Sequence, residues 1–200
     1  SASFKATYPT FQTATEFATE FLGNLVPEAG ADAVQLKAFA ELSAIEHVHT
    51  AGNSPAMCDA AAVVLMGDES LVDALGIPPK AKLVMSKTAC GEPLEVVSGC
   101  VAATQAIMRD AGMSTSDIDL FEIHEAFAAT IVKAKQELHL DDERLNVNGG
   151  CIALGHPMGA TGAIMMSTVL DELIRSDQSL GLIAASGAAG SGSSILVERC

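Results

Sequence analysis

The sequence predicts an α/β protein, with helices packed on a largely buried sheet, and three observations carry that expectation. Hydrophobic residues make up 49% of the 200 positions but aromatic ones only 4%, so the core must be built from Ala, Val, Leu, Ile and Met. Those residues suit a sheet covered by helices on both faces. Beyond residue 80, short strand-like runs alternate with longer helical ones. A chain of this length also buries a sizeable core, as one domain or one and a half.

Taken in order, Thr13 to Leu25 and Ala31 to Leu42 have helical composition, with Pro27-Glu-Ala-Gly30 as the turn between them. His47-Val-His49 is a strand-like start running into a small-residue loop that ends at Asp59. Ala60-Ala-Ala-Val-Val-Leu-Met66 is continuously apolar and fits either a buried strand or a buried helix. Glu69 to Leu75 reads as a short helix closed by Gly76. Ala81 to Cys90 reads as a strand, and a boundary is expected near residue 80.

Val97 to Ala111 follows as a small-residue helix stopped by Gly112, and Ile118 to Ile123 as a strand passing at His124 into a helix that runs to Leu138. The helix from Ala160 to Arg175 precedes a strand over Leu180 to Ser186. A Gly-rich turn then joins it to a final strand, Ser193 to Arg199, in a hairpin. No internal repeat or low-complexity segment is legible.

A formal charge of −14 argues against nucleic acid or an anionic membrane surface as a partner held by long-range attraction. Cysteines 58, 90, 100, 151 and 200 form no C-x-x-C pair and have no histidine at ligand spacing, so neither a metal site nor a disulfide framework is expected. His47 and His49 alternate as a metal pair would, but no third ligand lies close in sequence. The first ten residues show no leader pattern and no apolar run reaches membrane-spanning length, which leads us to expect a cytoplasmic, reduced protein.

The densest signal is Asn146-Val-Asn-Gly-Gly-Cys-Ile-Ala-Leu-Gly-His156-Pro-Met-Gly-Ala-Thr-Gly162, a glycine-rich run with one histidine ahead of a helix. It is neither a P-loop nor a dinucleotide fingerprint. A loop at a helix N-terminus suits an imidazole that acts as a base or polarises a carbonyl, although a core histidine in a tight turn has the same pattern. Two further turns flank strands: His124 at a strand-to-helix junction, and Ser186 at the entry to the hairpin turn. In open α/β sheets such strand ends converge on one crevice. Read alone, His124 is equally a helix cap, Ser186 a small turn residue and Glu125 a first-turn carboxylate matched to the helix dipole.

Together, His124-Glu-Ala-Phe-Ala128, the Gly-His-Pro run and the hairpin ending Ile195-Leu-Val-Glu-Arg199 resemble the C-terminal part of the thiolases, in order and spacing, and Thr50 to Ala62 resembles the segment leading into it. The resemblance covers about residues 45–199. It implies half of a layered α/β/α/β/α sandwich, one βαβαβαββ unit, with 1–80 as a helical, loop-domain-like segment plus the start of the core and 81–200 as the C-terminal domain. It further implies acyl transfer through coenzyme A thioesters, with no permanently bound cofactor and no metal. His156 would activate a nucleophilic cysteine and, with a water held by His124, form an oxyanion hole. Phe127 would line the pantetheine tunnel, and the turn amides at Gly187 and Ala188 would support a second oxyanion.

Several features depart from the family pattern. The nucleophilic cysteine lies in an N-terminal half for which these residues hold no counterpart, so a partner chain supplying that half, and an oligomer, are expected. Ser186 stands where the family has an acid/base cysteine, and a hydroxyl is far less acidic than a thiol. Cys151 beside the loop is a weaker alternative for that acid. Ala188 replaces the glycine of the same turn, His124 replaces an asparagine found in many members, and Pro55 falls where a coenzyme-contacting serine is common, leaving Ser54 as its stand-in. The leading expectation is a thiolase-type acyltransferase acting on 3-ketoacyl-CoA. A non-catalytic acyl-CoA-binding partner and a thiolase-like lyase are the alternatives.

Overall fold

The computed structural model describes residues 30–200; the helix expected over Thr13 to Leu25 lies outside them. The chain divides into two compact units, one ending at Ser54 and one spanning Pro55–Cys200. In the smaller unit, helix α1 spans Ala31–Ala38. No strand forms at His47 to His49. The His47 ring instead lies 3.0 Å from Asp32 Oδ2, both side chains being exposed, and the alternation of His47 and His49 does not mark a strand.

The larger unit begins with an extended stretch, then α2 (Glu69–Leu75), β1 (Ala81–Cys90), α3 (Gly99–Ala111), β2 (Leu120–Ile123) and α4 (Ala128–Leu138). A four-residue helix α5 (Cys151–Leu154), α6 (Thr161–Arg175), β3 (Leu180–Ser186) and β4 (Ser191–Arg199) complete it. The sheet runs β1-β4-β3-β2. β2 and β3 are parallel; β4 is antiparallel to both β3 and β1. The strand expected between α4 and α6 is reduced to one bridge, Leu145 against Phe121, beyond β2. With that bridge in the third strand's place, the order follows the βαβαβαββ unit.

Alternation along the strands builds two cores. Phe121, Ile123, Leu182, Ala184 and Leu196 face one side, where they pack with Cys100 and Ile107 of α3 and Ala134 and Leu138 of α4. Leu120, Ile183 and Val197 face the other and meet Met165, Met166, Val169 and Leu173, which recur on one stripe of α6. Each large side chain buried this way stabilises the fold by about 1.5–3 kcal/mol.

The termini obey local chemistry. The Asp68 carboxylate accepts from the Ser70 and Leu71 amides to start α2, and Gly76 closes it at φ 62°. The helix expected to begin at His124 starts four residues later, at Ala128, because residues 124–127 continue past the sheet edge with Phe127 in an extended conformation. The Ala60–Met66 run is neither helix nor strand. It lies in the open, with Val63 91% and Leu65 68% exposed, and it pairs with no strand of the sheet. Among the described residues no helix is long and apolar enough to cross a membrane.

Candidate functional site

The hairpin turn is placed by backbone contact. A Cβ on Gly192 would run into the Gly99 carbonyl, and one on Gly99 into Ser191, so β4 and the start of α3 touch main chain to main chain. This brings the Cys100 amide within 2.9 Å of Ser186 Oγ, which accepts its hydrogen. The Ser186 carbonyl accepts in turn from His124 Nδ1 at 3.3 Å. The ring therefore carries its proton on Nδ1 and leaves a lone pair on Nε2.

His124 is held at the end of β2 by Asn146, whose side chain accepts from the Ile123 amide at 2.7 Å and donates to the Ile123 carbonyl at 2.9 Å. Asn146 adopts φ 49°, a left-handed conformation that asparagine tolerates better than most residues. The Glu125 carboxylate accepts from Asn146 Nδ2 at 3.2 Å and from the Ile152 amide at 2.9 Å. The bare Gly150 makes room for this carboxylate, which a Cβ there would displace. Glu125 thus braces the Gly loop at α5; it does not sit in the first turn of α4 as its sequence position suggests.

His156 is reached from the other side. Its amide donates to the Ala56 carbonyl at 2.8 Å, and Gly155, at φ 99°, lets the Pro55–Cys58 stretch pass close by. Its Nδ1 lies 2.8 Å from Oγ1 of the buried Thr161, the first residue of α6. The His124 and His156 rings are 4.5 Å apart at their centroids, tilted by 39°. Burial, with the neighbouring His156, pushes His124 below the usual imidazole range, opposed by its bond to Ser186. His124 Nε2 is buried and has no hydrogen-bond partner among the described residues. Leaving such an atom unmet costs about 1–3 kcal/mol.

The three turns singled out in the sequence therefore meet. Phe127 is half-buried at the N-terminal end of α4. The Gly187 amide donates to the Ser191 carbonyl at 2.8 Å to close the hairpin, which removes it as an oxyanion donor and corrects that expectation. Ala188 is exposed, and its amide has no partner among the described residues. Ser54 belongs to the smaller unit, where its hydroxyl lies 3.5 Å from Asn53 Oδ1. An apolar groove of about 480 Å³ between α2, α6 and the 63–67 stretch shares no lining residue with the histidine pair.

Residues 77–199 match the family model described as the thiolase C-terminal domain. The chain belongs to the thiolase family. It is 40% identical over 153 residues to 3-ketoacyl-CoA thiolase of Klebsiella pneumoniae, covering 75% of this chain and 40% of that protein. It is 39% identical over 150 residues to acetyl-CoA acetyltransferase of Escherichia coli, covering 75% and 38%. Among solved structures, the Bacillus anthracis acetyl-CoA acetyltransferase superposes with TM-score 0.72 at 34% identity over 76% of this chain and 38% of that one. An Ascaris suum thiolase in complex with coenzyme A superposes with TM-score 0.66 at 31% identity, over 76% and 39%. This thiolase sequence thus spans about two-fifths of the length of those relatives.

Residue-by-residue reading passed over Thr161, the bracing role of Glu125 and the clamping role of Asn146. It also found no ligand set, whereas one ring nitrogen each of His124 and His156 and the Cys151 sulfur lie within 4.8 Å of one another. Sequence spacing hid that group because Cys151 and His156 are separated by the kinked α5 loop and His124 arrives from a different strand.

Proposed function

We propose that this chain carries the C-terminal half of a thiolase-type acyl-CoA acyltransferase site, acting on 3-ketoacyl-CoA together with the N-terminal part of the fold that bears the nucleophilic cysteine. The observation that carries this reading is the pairing of His124 and His156 at 4.5 Å, each ring fixed through Nδ1. In this scheme His156, with Nδ1 held by Thr161, takes the thiol proton of the nucleophile on Nε2. Neutral His124 accepts from a water through its buried Nε2, and that water turns its other hydrogen toward the thioester oxygen. Ala188 offers a backbone amide to the second carbonyl, and Phe127 lines the pantetheine path. The exposed Val63, Leu65 and Met66 supply apolar surface that the rest of the fold would cover.

Coenzyme A-dependent cleavage of acetoacetyl-CoA tests the reading, using this chain assembled with a thiolase N-terminal half. Activity is expected, and His156→Ala should lower kcat by about a hundredfold or more. Absence of thiolysis in a folded assembly overturns the proposal.

Ser186 supports a second reading, an acyl-CoA-binding half that performs no Claisen chemistry, because its hydroxyl already accepts the Cys100 amide and is a weak acid. Ser186→Cys separates the two. A rise in thiolysis of about tenfold or more means that the site is catalytic and limited by its acid. No activity in either form, with coenzyme A still bound, favours the binding role.

A further inference from the structure

We propose, resting on the acyltransferase reading, that the buried Cys100 thiol is the proton source behind Ser186, the two side chains forming a thiol–hydroxyl relay for the carbon–carbon step. The scheme above gives the Cys100 side chain no part.

Ser186 stands at the acid/base position with a hydroxyl, and a serine that protonated a carbanion by itself would be left as an alkoxide. Its surroundings offer a better acid. Cys100 is the second residue of α3, has no exposed surface, and meets Ser186 twice. Its amide donates to Ser186 Oγ at 2.9 Å, and its thiol is hydrogen-bonded to the same hydroxyl. A hydroxyl has two lone pairs and one hydrogen. With the amide on one lone pair and the thiol on the other, the hydrogen is left for substrate. Cys100 touches no substrate atom in this arrangement; it acts through Ser186.

The surroundings of the thiol suit a group that keeps its proton at rest and can carry charge briefly. Burial pushes the thiol up, so it is protonated when substrate arrives. Against that, the Ser186 hydroxyl, the Val101 and Cys100 amides at the start of the 13-residue α3, and the Lys133 ammonium all favour the thiolate. A thiol raised in this way is still far more acidic than an alcohol.

In thiolysis the bond between the α- and β-carbons of the 3-ketoacyl thioester breaks and leaves a carbanion on the acetyl-CoA fragment. The Ser186 O–H bond breaks as the new C–H bond forms, and the Cys100 S–H proton moves to Oγ, so the negative charge comes to rest on sulfur. The incoming coenzyme A thiol returns the proton by the same path. Its S–H bond breaks, Ser186 takes that proton while passing its own to the Cys100 thiolate, and the coenzyme thiolate attacks the acyl-enzyme. The relay is then back in its starting state with no further reactant.

The test is coenzyme A-dependent cleavage of acetoacetyl-CoA by this chain assembled with a thiolase N-terminal half, in a double-mutant comparison. Cys100→Ala should lower kcat by about tenfold or more in the Ser186 parent. In the Ser186→Cys background, where a thiol meets substrate directly, the loss on Cys100→Ala should be smaller by about fivefold or more. Cys100→Ser keeps a hydrogen-bonding group of similar size without the acidity, so it should show the same pattern. It also serves if Ala unsettles the core, and thermal melting confirms that each assembly is folded. Equal losses in both backgrounds, parental activity in Cys100→Ala or Cys100→Ser, or a parent that is inactive until Ser186→Cys is made, each overturn the relay alone. Folded assemblies of the parent and of Ser186→Cys that both lack thiolysis overturn the acyltransferase reading, and the relay with it.

Discussion

Replacing Glu122 with Gln tests whether the buried face of β2 next to the Gly loop holds an uncharged carboxyl. Glu122 is 6% exposed and shares a strand face with Leu120, against α6. Burial, reinforced by the charge of Glu125, pushes its carboxyl up from an ordinary 4.5 to about 8. The folded chain therefore keeps a proton that the unfolded chain releases. Between those two values the native state binds more protons than the unfolded one, so stability falls as pH rises and levels off above the folded value. At about 1.4 kcal/mol per pH unit, the whole interval is worth roughly 5 kcal/mol. Glutamine keeps the shape and the neutral state, so Glu122→Gln removes the dependence. Its stability advantage over the parent should grow by about 3 kcal/mol between about pH 5.5 and about pH 8.5. Urea unfolding followed by far-ultraviolet circular dichroism reads this directly. An advantage constant to within about 0.5 kcal/mol across that range refutes the reasoning.

The hairpin contact predicts that Gly192→Ala destabilises the fold by about 3 kcal/mol, since the new methyl meets the Gly99 carbonyl. Gly162→Ala, in α6 with open space around it, should instead stabilise by about 0.5–1 kcal/mol. Thermal melting of the pair checks both, and similar midpoints would show that the Gly99–Gly192 approach is not tight. Thr161→Val keeps volume but removes the oxygen beside His156 Nδ1, so thiolysis by the assembled protein should drop about tenfold with the melting temperature nearly unchanged. Full retention of activity would mean that the Thr161 oxygen does not set the ring.

Sequence alone determined the elements whose signals are local. Helix α2 with its Gly76 stop, strands β1 and β3, and the stop of α3 at Gly112 all fall where stop residues and apolar character put them. It also identified the three turns, because a histidine in a glycine-rich run and a serine at a hairpin turn are unusual enough in order and spacing to mark a family. What it could not supply were relations between segments. The Ala60–Met66 run carries apolar character without a face, and only the tertiary structure shows that it joins neither a helix nor the sheet.

Likewise, Glu125 is a helix-start carboxylate by position and a brace for α5 by contact. Gly187 is one amide among several until the hairpin consumes it. Cys151 has no ligand spacing in the chain, yet lies within 4.8 Å of both histidines, because β2, the Gly loop and the start of α6 end at one side of the sheet. Caps and periodicity act within a few residues, so one sequence records them. Convergence at strand ends depends on how the two cores stack helices on the sheet, and that only the tertiary structure decides.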